Sequence, residues 1–209
     1  MAQQHAQPPS QILFLPGVGG DPQFWQPVSG LLEHPATRRL MGWPGFGPVP
    51  ADPAVRGMAD LVARVVDAID QPTALVAQSM GGIVAVQAAL RCADRVTHLV
   101  LTATSGGVDM AAHGAQDWRP AFAQAHPTVP PWFADYREDL SGALATLAVP
   151  TLLLWGDADP ISPVAVGEHL QALLPQSRLH VVPGGAHDLA NRHAAQVAPL
   201  IAAHLGGSA

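Results

Sequence analysis

The chain has 209 residues, 48% hydrophobic and 12% charged, which suits one sizeable domain with a real core and excludes a disordered composition. Its net charge is −6 with histidine neutral, all ten basic residues are arginines and no basic run occurs, so nucleic acid is not an expected partner and lysine chemistry (a Schiff base, a phosphate-cradling P-loop) is excluded. Cys92 is the single cysteine, which rules out an internal disulfide and a cysteine-rich zinc site and fits a reducing compartment.

Residues 1–10, MAQQHAQPPS, read as a flexible tail rich in Gln and Pro. They hold no positive n-region, and no segment of the chain offers about 20 consecutive apolar residues. Neither a secretory leader nor a membrane span is expected, and a soluble cytoplasmic protein is. Ile12-Leu13-Phe14-Leu15, stopped by Pro16-Gly17, has the form of a buried strand. Residues 37–41 form a second strand ending at Gly42-Trp43-Pro44-Gly45. Met58, Leu61, Val62, Val65, Val66 and Ile69 then recur at helical spacing. Thr73 to Gln78 is the next strand, and a helix opens near Met80 and runs to about Cys92. Val96 to Ala103 is another apolar strand. Residues 104–138 break the rhythm with Gly106-Gly107, several prolines and the aromatics Trp118, Phe122, Trp132, Phe133 and Tyr136. Pro150 to Trp155 resumes as a strand, 163–174 as a helix, Leu179 to Val182 as a strand, and Leu189 to Leu205 as a closing helix. Such alternation predicts an α/β fold, a mostly parallel sheet with helices on both faces, in a single domain over 1–209 with 104–138 inserted as a cap.

Ala77-Gln78-Ser79-Met80-Gly81-Gly82 joins a predicted strand to a predicted helix. A serine there sits on a tight, strained turn, and small residues two before and two after it let neighbouring chain pass close by. The alternative is a serine capping a glycine-rich helix start. Serine needs a base, itself oriented by a carboxylate. Asp157 and Asp159 follow one predicted strand, and His187 follows the last. All three loops leave the carboxyl ends of strands, which share one edge in a parallel sheet. Each has a plainer alternative: the aspartates as turn or helix caps, the histidine as a cap of the last helix or an ordinary surface residue, one of ten histidines. Chance must strike three times to produce the joint placement. Leu15-Pro16-Gly17-Val18-Gly19-Gly20-Asp21 supplies a fourth part, a glycine-rich loop whose Val18 N–H, together with that of Met80, would stabilise an oxyanion. It does not match G-x-G-x-x-G, and Pro22 follows too early for a dinucleotide site.

Nearly the whole chain resembles the α/β-hydrolase family. LPGVGGDPQFW is similar to that family's oxyanion loop, GWPGFGPVP to the loop after the next strand, AQSMGG to the nucleophile elbow, PTLLLWGDADPISP to the acid segment and VVPGGAHDL to the histidine loop. The resemblance implies Ser79 as nucleophile, His187 as base and Asp159, three after Gly156, as the acid, with Asp157 supporting its loop. It also implies about six core strands, since the family's N-terminal hairpin has no counterpart before residue 12. Pro16 replaces the family's usual histidine, and Ala77 its first elbow glycine. By position, the cap aromatics Trp118, Trp132 and Phe133 either line an apolar acyl pocket or fill the insertion's own small core. Phe24 and Trp25 either face the site or staple their loop to the sheet, and Gly17 and Gln78 are placed beside the substrate.

The activity implied is hydrolysis of small to medium apolar carboxylic esters through an acyl-enzyme, with no cofactor and no metal. The expected partner is a small-molecule ester, with neither nucleic acid nor membrane, and the protein is expected as a monomer or homodimer. The same fold and triad also serve thioesterases, C–C hydrolases, lyases and cofactor-free haloperoxidases. A non-catalytic binding protein on the same fold is the alternative of another class.

Overall fold

A computed structural model describes residues 7–206. Six strands form one sheet in the order β2-β1-β3-β4-β5-β6: β1 (Gln11–Leu15), β2 (Thr37–Leu40), β3 (Thr73–Gln78), β4 (Val96–Thr102), β5 (Thr151–Gly156) and β6 (Ser177–Val182). All neighbouring pairs run parallel. Central strands β1, β3 and β5 are buried at every residue, which is why they read as unbroken apolar runs. Edge strands β2 and β6 are partly exposed, and the two arginines of β2 are tolerated there.

Nine α-helices accompany the sheet: α1 (Gln26–Leu31), α2 (Met58–Asp67), α3 (Met80–Arg91), α4 (Arg119–Ala125), α5 (Trp132–Asp135), α6 (Ser141–Leu144), α7 (Val164–Leu173), α8 (Leu189–Arg192) and α9 (Ala194–Leu205), counted among the described residues. Strand side chains alternate between two cores. Leu13, Leu75, Leu101 and Leu153 pack with α2, α3 and α7, whereas Ile12, Phe14, Val76 and Leu154 pack with α1, α8 and α9. The chain steps from β1 outward to β2 and then back past β1 to β3. That reversal leaves a crevice at the carboxyl ends of β1 and β3, the place where open α/β sheets bind ligands.

Three stretches differ from expectation. Residues 22–31 are helical: a 3-10 turn over Pro22–Trp25, capped by Asp21 Oδ1 accepting from Gln23 N–H at 2.8 Å, leads into α1. Pro22 and Pro27 sit in first turns, where a missing N–H costs nothing. The closing helix is two helices, parted at His193, whose backbone (φ −107°, ψ 31°) leaves the helical region. Of the tail expected over 1–10, the first six residues lie outside the described ones, and Ser10 is tied to the sheet, its N–H donating to Pro72 O at 2.8 Å. Among the described residues, no helix is long and apolar enough to cross a membrane.

Candidate active site

Ser79 links β3 to α3 with φ 52° and ψ −122°, a conformation that costs a side-chain-bearing residue on the order of 1–3 kcal/mol. Neighbouring groups hold it there. Its N–H donates to Thr102 O at 3.0 Å, and its carbonyl accepts from Gly82 N–H at 2.9 Å and from Thr104 Oγ1 at 2.6 Å. Small residues are required by close approach. A Cβ at Gly81 would lie 2.5 Å from Pro16 O, and one at Gly82 would lie 2.4 Å from Thr104 Oγ1. Ala77, where the family usually has glycine, lies within β3, in register with Leu15 and Leu101, with its methyl fully buried in the core.

His187 enters from the loop after β6. Its Nε2 lies 3.0 Å from Ser79 Oγ, and its Nδ1 lies 2.8 Å from Asp159 Oδ2. A carboxylate there accepts from Nδ1–H, and that tautomer leaves Nε2 free to accept the serine hydroxyl proton. Asp159 has no side-chain exposure, and its other oxygen accepts from Ile161 N–H at 2.8 Å and Ser162 N–H at 3.2 Å. The carboxylate is thus fixed from both sides. Asp157 does a different job: its Oδ1 accepts from Gly184 N–H at 2.6 Å, joining the loop after β5 to the loop after β6.

The loop after β1 runs directly beside the serine, since a Cβ at Gly17 would lie 3.1 Å from Ser79 Cβ. Among the described residues the N–H of Val18 has no acceptor, and Met80 is the first residue of α3, where N–H groups lack an intrahelical partner. Two tryptophans brace the strand end from which this loop departs: Trp25 Nε1 donates to Leu15 O at 3.0 Å and Trp43 Nε1 donates to Pro16 O at 2.8 Å. Sequence reading does not reach Trp43. Its only signal is a Trp-Pro-Gly run directly after a strand, and the partner it finds is 27 residues away.

Ser79 and His187 open on a narrow chamber of about 40 Å³, walled by Met80, Ala103, Met110, Trp118 and Phe133 among others. A larger void of about 610 Å³ lies beside it under residues 105–119 and 136–139 and shares Ile83, Ser105, Met110, Trp118, Arg119 and Tyr136 with it. Of the two placements open for the insertion's aromatics, Trp118 and Phe133 border the chamber. Trp132 does not: it packs edge-on against Phe46 with ring centroids 5.7 Å apart, and lines neither void. Trp25 is fully buried in the core on the α1/α9 side, with Phe24 against its edge at 5.4 Å, so both fix their loop to the sheet and neither borders the chamber. Gln78 is also turned away from the chamber; its Nε2 donates to His187 O at 3.1 Å and steadies the histidine loop. Gly17 gives close approach and no wall. Among the described residues no cluster of three or more His, Cys, Asp or Glu side chains could hold a metal ion.

A model of the alpha/beta hydrolase family matches residues 12–142, more than half of the chain, and one of the alpha/beta hydrolase fold matches residues 123–190. A putative non-heme chloroperoxidase of Synechocystis sp. is 40% identical over 74 residues, which make up 35% of this chain and 25% of that protein. A pimeloyl-[acyl-carrier protein] methyl ester esterase of Edwardsiella ictaluri is 27% identical over 84% of this chain and 85% of its own. The chain spans less than half the length of the chloroperoxidase and of another curated relative, at 25% and 43%. The structure of a thermophilic esterase from Thermogutta terrifontis superposes with a TM-score of 0.72 at 23% identity, covering 91% of this chain and 87% of that one, a likeness of fold.

Proposed function

We propose, from the premise that this chain belongs to the alpha/beta hydrolase family, that it cleaves carboxylic esters of small to medium apolar substrates through an acyl-enzyme on Ser79. One observation carries the reading: Ser79 Oγ, His187 and Asp159 form an unbroken hydrogen-bonded path, at 3.0 and 2.8 Å, that opens on an apolar chamber. In the first step Ser79 Oγ attacks the ester carbonyl carbon while His187 Nε2 takes its proton. Asp159 holds the Nδ1–H tautomer and balances the imidazolium. The carbonyl oxygen becomes an oxyanion on the N–H groups of Val18 and Met80, donors that contribute several kcal/mol in sites of this kind, each on the order of 3. The carbon–oxygen bond to the leaving group breaks, and His187 gives that oxygen its proton. Water, deprotonated by His187, then attacks the acyl carbon and returns the acid and free Ser79. No cofactor enters this scheme.

The test is an ester chain-length series with covalent labelling by a fluorophosphonate. Wild type is expected to turn over short p-nitrophenyl esters and to label once. Ser79→Ala should keep its circular dichroism, lose labelling and lose kcat by roughly 10⁴-fold or more. Saturable ligand binding without labelling of wild type would instead favour a binding protein. The chloroperoxidase name of the 40% identical relative favours one second reading, in which hydrogen peroxide in place of water attacks acyl-Ser79. Halogenation that needs both acetate and peroxide, and is abolished in Ser79→Ala, distinguishes it.

A further inference from the structure

Resting on the reading of Ser79 as an esterase nucleophile, we infer that Arg119 is an anion subsite and that the preferred esters carry a free carboxylate on the acyl chain, away from the scissile bond. Arg119 borders both the chamber at Ser79 and the larger void beside it, and among the described residues it is the one arginine, lysine or carboxylate in the chamber wall. Among the described residues its guanidinium has no carboxylate within 4.0 Å and donates no hydrogen bond.

Every other charge around the larger void already has a task. Asp109, Asp117 and Asp139 each accept the backbone N–H two residues on, from Ala111, Arg119 and Ser141, as turn-closing side chains do. Glu138 accepts from Gln87 Nε2 at 2.9 Å and from the Tyr136 hydroxyl. Arg137 donates to Ala134 O at 2.7 Å and Tyr136 O at 2.8 Å. Arg119 alone presents a fork of donors with nothing to fill it, its guanidinium carbon 5.6 Å from the Trp118 ring centre. Partial burial, and then the nearby Arg137, lower its pKa, and the negative charge of Asp117, which makes no salt bridge to it, offsets this only in part. A planar carboxylate satisfies such a fork with two parallel bonds. A dicarboxylic half-ester reaching from Ser79 into the larger void would place its free end at that fork.

The experiment compares mono-p-nitrophenyl adipate with p-nitrophenyl hexanoate, esters of equal acyl length with and without a terminal charge. Wild type should favour the adipate ester in kcat/KM by tenfold or more. Arg119→Gln should erase at least tenfold of that ratio, chiefly through KM, and Arg119→Lys should retain part of it. An unchanged ratio in Arg119→Gln, or a wild-type preference for the neutral ester, overturns the inference. Adipate binding to Ser79→Ala, with and without Arg119→Gln, is read separately by tryptophan fluorescence. Arg119-dependent binding there upholds the subsite even if neither ester turns over, which would count against the esterase reading alone. Stronger competition by hexyl phosphate than by adipate would overturn the carboxylate in favour of phosphate.

Discussion

Trp43 positions the loop facing Ser79 through one bond, from its indole N–H to the Pro16 carbonyl at 2.8 Å. Both partners are buried, so removing the donor leaves a carbonyl unsatisfied at a cost of about 1–3 kcal/mol. Pro16 stands where the family usually places a histidine, and its carbonyl is held by this bond from the next loop. Trp43→Phe keeps an aromatic ring and deletes the bond. If Val18 N–H is the oxyanion donor proposed above, kcat on an activated ester should fall about tenfold with KM changed less than twofold, because that N–H shifts away from the reacting carbonyl. Unaltered kcat with a lowered melting temperature would mean that the bond serves stability alone. Ser79, Asp159 and His187 are legible in the sequence because each sits at a fixed offset from glycines or prolines in a strand-ending loop. The contacts of Trp43, Gln78 and Thr104 are not, because each depends on which strand ends become neighbours, and periodicity along one chain says nothing about that.

At the scale of elements, the site is made by pairing the loops that leave β5 and β6. Gly156 packs so closely that a Cβ there would lie 2.0 Å from Gly185 O, and Ala158 N–H donates to that same carbonyl at 3.0 Å. With the Asp157–Gly184 bond, these contacts set the distance between Asp159 and His187. Gly156→Ala should push the two loops apart. Overpacking of this kind costs about 1–3 kcal/mol, so the melting temperature should drop by roughly 2–10 °C and kcat by tenfold or more, with the secondary structure kept. Gly30→Ala is the control: a Cβ there meets nothing within 4 Å, and it should stabilise slightly. Retained activity in Gly156→Ala would show that the loops do not need this fit. Strands β3 and β4 and helices α2 and α3 are readable to within a residue or two, since apolar period and breakers agree there. The helical stretch 22–31 is not, because Pro22, Pro27 and Gly30 discourage a helix that Asp21 capping and the packing of Val28 and α9 nevertheless hold. Trp118, Trp132 and Phe133 cannot be assigned between pocket and core from sequence, and the structure divides them, with Phe133 touching both.

For the whole molecule, two buried histidines on the sheet face opposite α3, away from the reacting groups, are expected to govern the loss of stability in acid. His98 of β4 and His204 of α9 meet edge to face with ring centroids 5.1 Å apart, both buried, and His204 Nε2 donates to Leu99 O at 3.0 Å. Burial, and then the neighbouring His34, lower the pKa of His98 to about 4; burial, then His98 and Arg178, lower that of His204 to about 4, where an ordinary imidazole titrates at 6.5. The facing groups His34 and Arg178 only add to the cost of a charge here. The folded protein therefore resists protons that the unfolded chain accepts. Stability is full above about pH 6.5 and falls as pH drops toward 4, where the folded state also takes them up and these groups contribute no further loss. Each tenfold drop in proton affinity on folding is worth about 1.4 kcal/mol, so two such groups remove a few kcal/mol, a large part of the roughly 5–15 kcal/mol that holds a domain folded. Urea midpoints should thus decline steeply from pH 7 to pH 5. The double variant His98→Gln, His204→Gln, whose amides keep donors and carry no titrating proton, should flatten that decline, though its midpoint at pH 7 is itself lower. A wild-type midpoint unchanged between pH 7 and pH 5, or a double variant with the same slope, would locate the acid limit elsewhere.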